Sequence, residues 1–562
     1  MDNYRALIAI VLSMAVLLVY QFFFVPAPPP PLEQSGQGVG ELADSNGEQR
    51  ERVAPVSLSP DPAGEGAGAV PIPAATPLDP ADEAGEITVE TSLYTAVISE
   101  SGGVLKSLRT KEFREDVGPD SPPKELVRTD FGEGRPLFFS WGVEPGRADL
   151  LSFKADQERL DLSAGEYRTL TLRAVSPLGL EYLRTYTFKD HEYLIELAVE
   201  VRNLADHPQQ GAPYLTLSNR SFSGGSDPLD RFLFAGPVAL VDDEVHEVKV
   251  DELAAERAGR SFTGGVSWAG YYDAYFFTGI IPLNMGQATA HFSSRGDGVA
   301  HTVLAAAVDV IPPGGVERYD FLAYFGPKKL SLLKGIGHQL ERTVNFGFFD
   351  FLARPTLHLL NFLYGLVGNY GVAIILVTVL IKIAFWPLTQ KGMKSMKVMQ
   401  KIQPKMAKLR EKYKDDRQRQ QQEMLKLYQT YKVNPLGGCL PMILQIPVFF
   451  ALYKVLLQSV ELRHAPFILW INDLSAPDRL FIGFDLPWLG GIPVLTLLMA
   501  ISMFVQQKMT PVSDPMQARI MLFLPLVFFF LFLNFASGLV LYWFINNVLT
   551  ISQQYMIYRQ KD

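Results

Sequence analysis

Lys382 is the one charge within residues 372–386, where Val, Ile, Leu, Ala, Thr, Phe and Trp supply everything else. An ammonium in hydrocarbon costs about 2.5–3.5 kcal/mol on insertion scales, so such a lysine marks a place where charge has work to do. Thr378 precedes it by four residues and projects from the same helix face. Pro387 closes the run five residues after the lysine, which leaves snorkelling toward the interface as the plainer alternative. Gln445, Gln506, Asn534, Asn546 and Asn547 recur in later apolar stretches. Singly, such groups serve hydrogen bonds between helices. Together with a charge they point to a hydrated cavity. That chemistry is electrostatic rather than covalent.

Other chemistries lack their residues. The single cysteine, Cys439, permits no disulfide within the chain, and no Cys/His cluster has zinc spacing. Walker, dinucleotide and nucleophile-elbow motifs are missing too, so no metal, cofactor or enzymatic activity is expected.

The elements that hold the polar groups follow from hydropathy and charge. The 562 residues are 48% hydrophobic, and the mean hydropathy of +0.11 is high for an ordinary soluble protein of this size. Residues 6–25 form an uncleaved transmembrane anchor, within a first segment of residues 1–25, and lack the small-residue cleavage site of a signal peptide. Residues 26–85 are rich in Pro, Gly, Ala, Ser and acids, and read as a flexible tether. From 86 to 327 the apolar period becomes two. Tyr193, Ile195, Leu197, Val199 and Val201 alternate with charged residues, and Gly-Gly and Pro-Pro-Gly-Gly turns recur, predicting a large antiparallel β-sandwich. Residues 328–354 switch to a helical period, with Leu333, Ile336, Leu340 and Val344 on one face, predicting an interfacial amphipathic helix.

Residues 355–562 carry five apolar segments, at about 355–386, 438–458, 491–507, 519–535 and 539–557. With the anchor they make six transmembrane helices. The positive-inside rule orients them with both termini inside and the sandwich outside. Counting the anchor as the first, the fourth and fifth spans, residues 491–505 and 520–535, are short, which implies a thinned bilayer.

The formal charge of −8 conceals an island: residues 388–436 carry a net +9, leaving −17 elsewhere. Within the island Lys391, Lys394, Lys401, Lys405, Lys408 and Lys412 recur every few residues opposite Met393, Met396, Ile402 and Met406. Pro404 is expected to kink that helix. A turn at Lys414-Asp415-Asp416 then returns the chain as a cytoplasmic helical hairpin with Met-rich faces suited to varied partners.

The motifs Val367-Gly368-Asn369-Tyr370-Gly371, Pro387-Leu388-Thr389, Asn434-Pro435-Leu436-Gly437-Gly438-Cys439, Phe450-Ala451-Leu452-Tyr453, Asp514-Pro515-Met516-Gln517 and Ser537-Gly538-Leu539-Val540-Leu541-Tyr542 occur in this order. In them the chain resembles the YidC/Oxa/Alb family of membrane protein insertases, in its Gram-negative form. The resemblance implies a five-helix core around a hydrophilic groove open to cytoplasm and lipid and closed outside. It implies Lys382 where the family usually has Arg, Thr378 and Gln445 lining the groove, Tyr542 as a family aromatic, and Trp543 where Tyr is common. It further implies that the hairpin, with Lys401, Lys405, Lys408 and Met406, and the 508–518 loop with Asp514 meet the ribosome. The sandwich would be the family's periplasmic domain, which looks like a sugar-binding fold. The expected protein is an inner-membrane insertase and chaperone acting on nascent membrane proteins, alone or with the Sec translocon, with no sequence-specific nucleic acid. The alternative is a solute transporter or channel with Lys382 as an anion site, which inverted repeats would favour.

Overall fold

The computed structural model describes residues 85–559, apart from 119, 143–150, 164, 223–232, 257, 415, 432–439, 485–488 and 511–514. The expected anchor, nearly all of the tether, Cys439 and Asp514 therefore lie outside the described residues.

Among the described residues, twenty strands run from Glu86–Glu90 to Val316–Pro327 and form sheets of five, nine and six strands. The alternation seen in the sequence decides which side is inside. Ile195, Leu197, Val199 and Val201 on strand Leu194–Asn203 are buried, and pair in antiparallel register with Val316–Pro327, placing Leu197 opposite Phe321. Each such side chain contributes about 1.5–3 kcal/mol by leaving water. One pair departs from the expected antiparallel pattern: Glu86–Glu90 runs parallel to Arg159–Asp161.

Beneath the strands, residues 328–354 do not form the single amphipathic helix read from the periodicity. The helix Leu330–Ile336 stops because Gly337, His338 and Gln339 all take positive φ. Two short 3-10 turns follow, Leu340–Thr343 and Gly347–Phe349. The apolar face survives the break, since Leu333, Leu340 and Val344 are all buried.

The remainder is helical. The predicted segment 355–386 is two helices, which we label α1 (Asp350–Val367) and α2 (Tyr370–Lys412). Gly368, at φ 67°, ends α1 in the left-handed conformation that glycine adopts without penalty. Asn369 then caps α2, its side-chain oxygen accepting from Val372 N at 3.1 Å. Helix α2 continues for 43 residues through Pro387 and Pro404, so the first arm of the hairpin is an extension of the apolar helix. Helix α3 (Arg417–Thr430), capped by Asp416, returns beside it. Then come α4 (Leu440–Gln458), α5 (Val494–Met509), α6 (Pro515–Phe532) and α7 (Ser537–Arg559). Among the described residues only α2 is long and apolar enough to cross a membrane by itself; Gln445–Gln458, Val494–Met509 and Met521–Phe532 are shorter apolar stretches.

Candidate functional site

Helix α7 packs against both α2 and α5 and is apolar except for a recurring polar edge. Thr550 lies three and four residues from Asn547 and Asn546 on one side and from Gln553 and Gln554 on the other, which brings them onto neighbouring faces. Toward α2, the Lys382 Nζ donates to Thr550 Oγ1 at 2.7 Å. One layer further along, Gln553 Nε2 donates to Thr389 Oγ1 at 2.9 Å. Toward α5, Asn547 Nδ2 donates to Ser502 Oγ at 3.0 Å, and Gln554 Nε2 to the Met509 carbonyl at 2.8 Å. A polar spine thus runs along α7 with the ammonium of Lys382 set into it.

The other residues singled out in the sequence fall into separate settings. Thr378 is buried and donates to the Ile374 carbonyl of its own helix at 2.7 Å, so its hydroxyl is turned away from Lys382. Gln445 on α4 is half-buried and hydrogen-bonds the buried Tyr542 hydroxyl. Trp543 sits in an aromatic cluster, with Phe449, Phe532 and Phe528 at ring distances of 4.7, 5.0 and 5.6 Å. It fastens α4, α6 and α7 together. Lys401, Lys405 and Lys408 are exposed along α2, and Lys405 meets the Tyr431 hydroxyl and ring. Met406, with Ile402, is buried against Met424, Leu427 and Tyr428, closing the hairpin on itself. Thr550, Gln553 and Gln554 were missed by reading for charge. Their three-and-four spacing within an apolar helix was the available signal.

At the other end of these helices, residues 463–480 tie three N-termini together. The Asp478 carboxylate accepts from Trp470 Nε1 at 2.6 Å and from the backbone N–H groups of Leu495 and Thr496 at the start of α5. Ser537 Oγ donates to the Asp473 carbonyl at 2.7 Å, and Gly538 N to the Leu474 carbonyl. Asn369 Nδ2 donates to the Phe467 carbonyl at 3.0 Å. Any Cβ at Gly371 would meet the Phe467 ring at 2.0 Å, so α2 approaches this loop as closely as glycine permits. Arg463 reaches from it to the strands, its guanidinium donating to the Arg114 and Glu115 carbonyls at 2.7 and 2.8 Å.

Within the sandwich, His301 Nδ1 lies 2.9 Å from Ser218 Oγ and His291 Nδ1 lies 2.8 Å from Ser261 Oγ. Neither imidazole is hydrogen-bonded to a carboxylate among the described residues, so neither pair has the third member of a catalytic triad. Burial pushes His301 down to about 4. No group of three or more potential metal ligands occurs among the described residues.

Two family models match, 60Kd inner membrane protein over residues 362–562 and YidC periplasmic domain over residues 86–359. Membrane protein insertase YidC of Syntrophus aciditrophicus is 43% identical over 99% of this chain and 99% of its own length. That of Pelobacter propionicus is 40% identical over 98% of each chain. A solved active YidC insertase with its first transmembrane domain resolved aligns with 87% of this chain and 96% of that chain, at 19% identity and a TM-score of 0.36. The β-rich domain followed by a helical region, and relatives that match both from end to end, make the chain a member of the YidC family of membrane protein insertases.

Proposed function

We propose that this chain inserts proteins into the bacterial inner membrane, and helps them fold there, through a hydrophilic groove along α7. Relatives of equal length carry the name membrane protein insertase. The observation in this chain that carries the reading is the contact of Lys382 with Thr550 between otherwise apolar helices. A translocated polar segment entering from the cytoplasm would exchange water for the polar edge of α7, which lowers its desolvation cost. Lys382 would attract acidic residues in that segment. Apolar spans of the client would then pass into lipid along α4 and α6, driven by transfer from water. No bond is made or broken.

In this reading the chain crosses the membrane six times: the anchor in residues 1–25, then α2, α4, α5, α6 and α7 within a core of residues 355–562. The tether of residues 26–85 leads to a periplasmic sandwich of residues 86–327. Both termini, the basic hairpin of residues 388–436 and the 508–518 loop with Asp514 lie in the cytoplasm. The interfacial role assigned to residues 328–354 passes in part to α1, which is a regular helix with Leu357, Leu360 and Leu363 buried and Phe362 and Leu366 exposed. The solvent-facing Lys401, Lys405 and Lys408 suit the ribosome, and the Sec translocon is a further partner for large clients. The groove lining comprises Lys382, Thr378, Gln445 and Tyr542, backed by Trp543.

The test is insertion of a short single-span client into liposomes holding the purified chain, followed by protease protection. We expect wild type and Lys382→Arg to insert it, and Lys382→Ala to insert it severalfold less. Equal insertion by all three would remove Lys382 from the mechanism. No insertion beyond that of empty liposomes would overturn the insertase reading.

A further inference from the structure

We infer that Thr550 is a positioning residue for the groove charge: it holds the Lys382 ammonium on α7, ready to meet the carboxylates of an acidic client segment. The inference rests on the insertase reading and adds to it the residue that positions the groove charge.

A lysine at this place in α2 has two options. Pro387 ends the apolar run five residues on, about 7 Å along the axis, and a lysine stem can cover most of that distance by snorkelling. In the structure Nζ reaches across to α7. Lys382 lies 12 residues into α2 and Thr550 lies 13 residues into α7, or about 18–20 Å from the end tied by residues 463–480 at about 1.5 Å per residue. The Gln553–Thr389 bond pairs the same two helices at an offset of 164 residues, against 168 for Lys382 and Thr550, so the lysine stem leans about four residues, or ~6 Å, toward Pro387 as it crosses.

Thr550 is suited to receive an ammonium. Its hydroxyl proton is already committed to the Asn546 carbonyl at 2.6 Å. The oxygen is therefore left as an acceptor toward α2. A β-branched side chain also has few rotamers, which keeps that oxygen in place. Lysine carries three N–H donors, and Thr550 takes one. Among the described residues Lys382 makes no other hydrogen bond or ion pair.

The surrounding helices offer the ammonium no counterion. Helices α4, α5, α6 and α7 contain neither Asp nor Glu, and the first acid in α2 is Glu411. That is 29 residues past Lys382, about 43 Å along the helix. The ammonium carries two further N–H donors, and a carboxylate on a client passing along α7 can accept from them.

The experiment uses the full chain in liposomes and two single-span clients that differ only in the translocated tail, Asp and Glu in one, Asn and Gln in the other. The readout is the ratio of acidic-tail to neutral-tail insertion rates for wild type, Thr550→Val, Thr550→Ser and Lys382→Ala. We expect Thr550→Val, which keeps the shape but removes the acceptor, to lower the ratio by about threefold or more, the change that one hydrogen bond of ordinary net strength corresponds to. Thr550→Ser should restore it. An unchanged ratio in Thr550→Val, or an equal loss of both clients, overturns the inference. Should Lys382→Ala lower the ratio while Thr550→Val does not, the charge acts without Thr550, and the insertase reading survives alone. Failure of wild type to insert either client removes both.

Discussion

His301 shows how a single buried group writes pH dependence into the sandwich. Burial lowers its affinity for a proton, Arg295 adds to the effect, and Asp297 and Glu133 oppose it, leaving the imidazole at about 4 against an ordinary 6.5. Between those values the unfolded chain binds a proton that the folded chain refuses. Stability is then complete above about pH 6.5 and falls as the pH drops toward 4. Between pH 7 and 5 the loss amounts to about 2 kcal/mol. We expect the tryptophan-monitored melting temperature of the sandwich to fall over that range and His301→Gln to flatten much of the fall. His291, lowered in the same direction by burial, accounts for a residual slope. A melting temperature with the same pH dependence in both proteins would show that His301 takes up its proton without unfolding. Arg184 poses the opposite case. It is fully buried and, among the described residues, hydrogen-bonds the Gly102 and Leu137 carbonyls and the Tyr186 hydroxyl. Its charge is dispersed over neutral acceptors that join two turns to one strand.

Helix α5 begins on a cap that lies far from it in the chain. Asp478 supplies both oxygens there, one to the backbone of Leu495 and Thr496 and one to Trp470. Substitution by Ala should cost about 1–2 kcal/mol for the cap and leave the indole N–H unsatisfied as well. We expect Asp478→Ala to lower the melting temperature in detergent and raise amide exchange over residues 494–499, while Asp478→Asn keeps most of the protection. Equal exchange in all three would mean that the cap contributes nothing. Elements of this kind mark where sequence reading stops. The strands were legible because a period of two reports one buried face directly, as in Ile195 to Val201. Lys382 was legible because one charge in fifteen apolar residues is conspicuous. The division of 355–386 was not, because averaged hydropathy is blind to a single left-handed glycine followed by a capping asparagine. Nor does periodicity reveal that Gly337, His338 and Gln339 turn the chain left-handed while its apolar face continues. The burial of Met406 was hidden for a related reason: an apolar stripe looks the same whether a foreign partner or the returning arm covers it. Thr550 and Gln553 find their partners more than 160 residues away, a pairing that no local pattern contains.

One loop fastens the strands to the helices through hydrogen bonds, and that sets how the domains communicate. Residues 463–480 hold the N-termini of α2, α5 and α7, and the same segment is fastened to the strands by Arg463. The guanidinium lies over the Phe276 ring at 5.6 Å, and Glu115, whose carbonyl it binds, is itself paired through its carboxylate with Lys124 and Arg128. Leu233 adds an apolar contact to Leu457 and Ala536 nearby. A planar fork can reach two successive carbonyls at once, which a lysine cannot do. Hydrogen bonds from a charged donor contribute about 1.5–3 kcal/mol each. Loss of the fork should therefore raise the local opening of residues 463–480 by about tenfold or more, since 1.4 kcal/mol is a factor of ten. We expect hydrogen exchange of the full chain in detergent to show this for Arg463→Ala and, in smaller measure, for Arg463→Lys. Strand Leu194–Asn203 and its partners should be unchanged, because their ladder does not pass through the loop. Exchange that rises equally in the strands would mean that Arg463 supports the sandwich itself. Exchange that rises nowhere would leave Asn369, Asp478 and Ser537 sufficient to hold the loop without the strands.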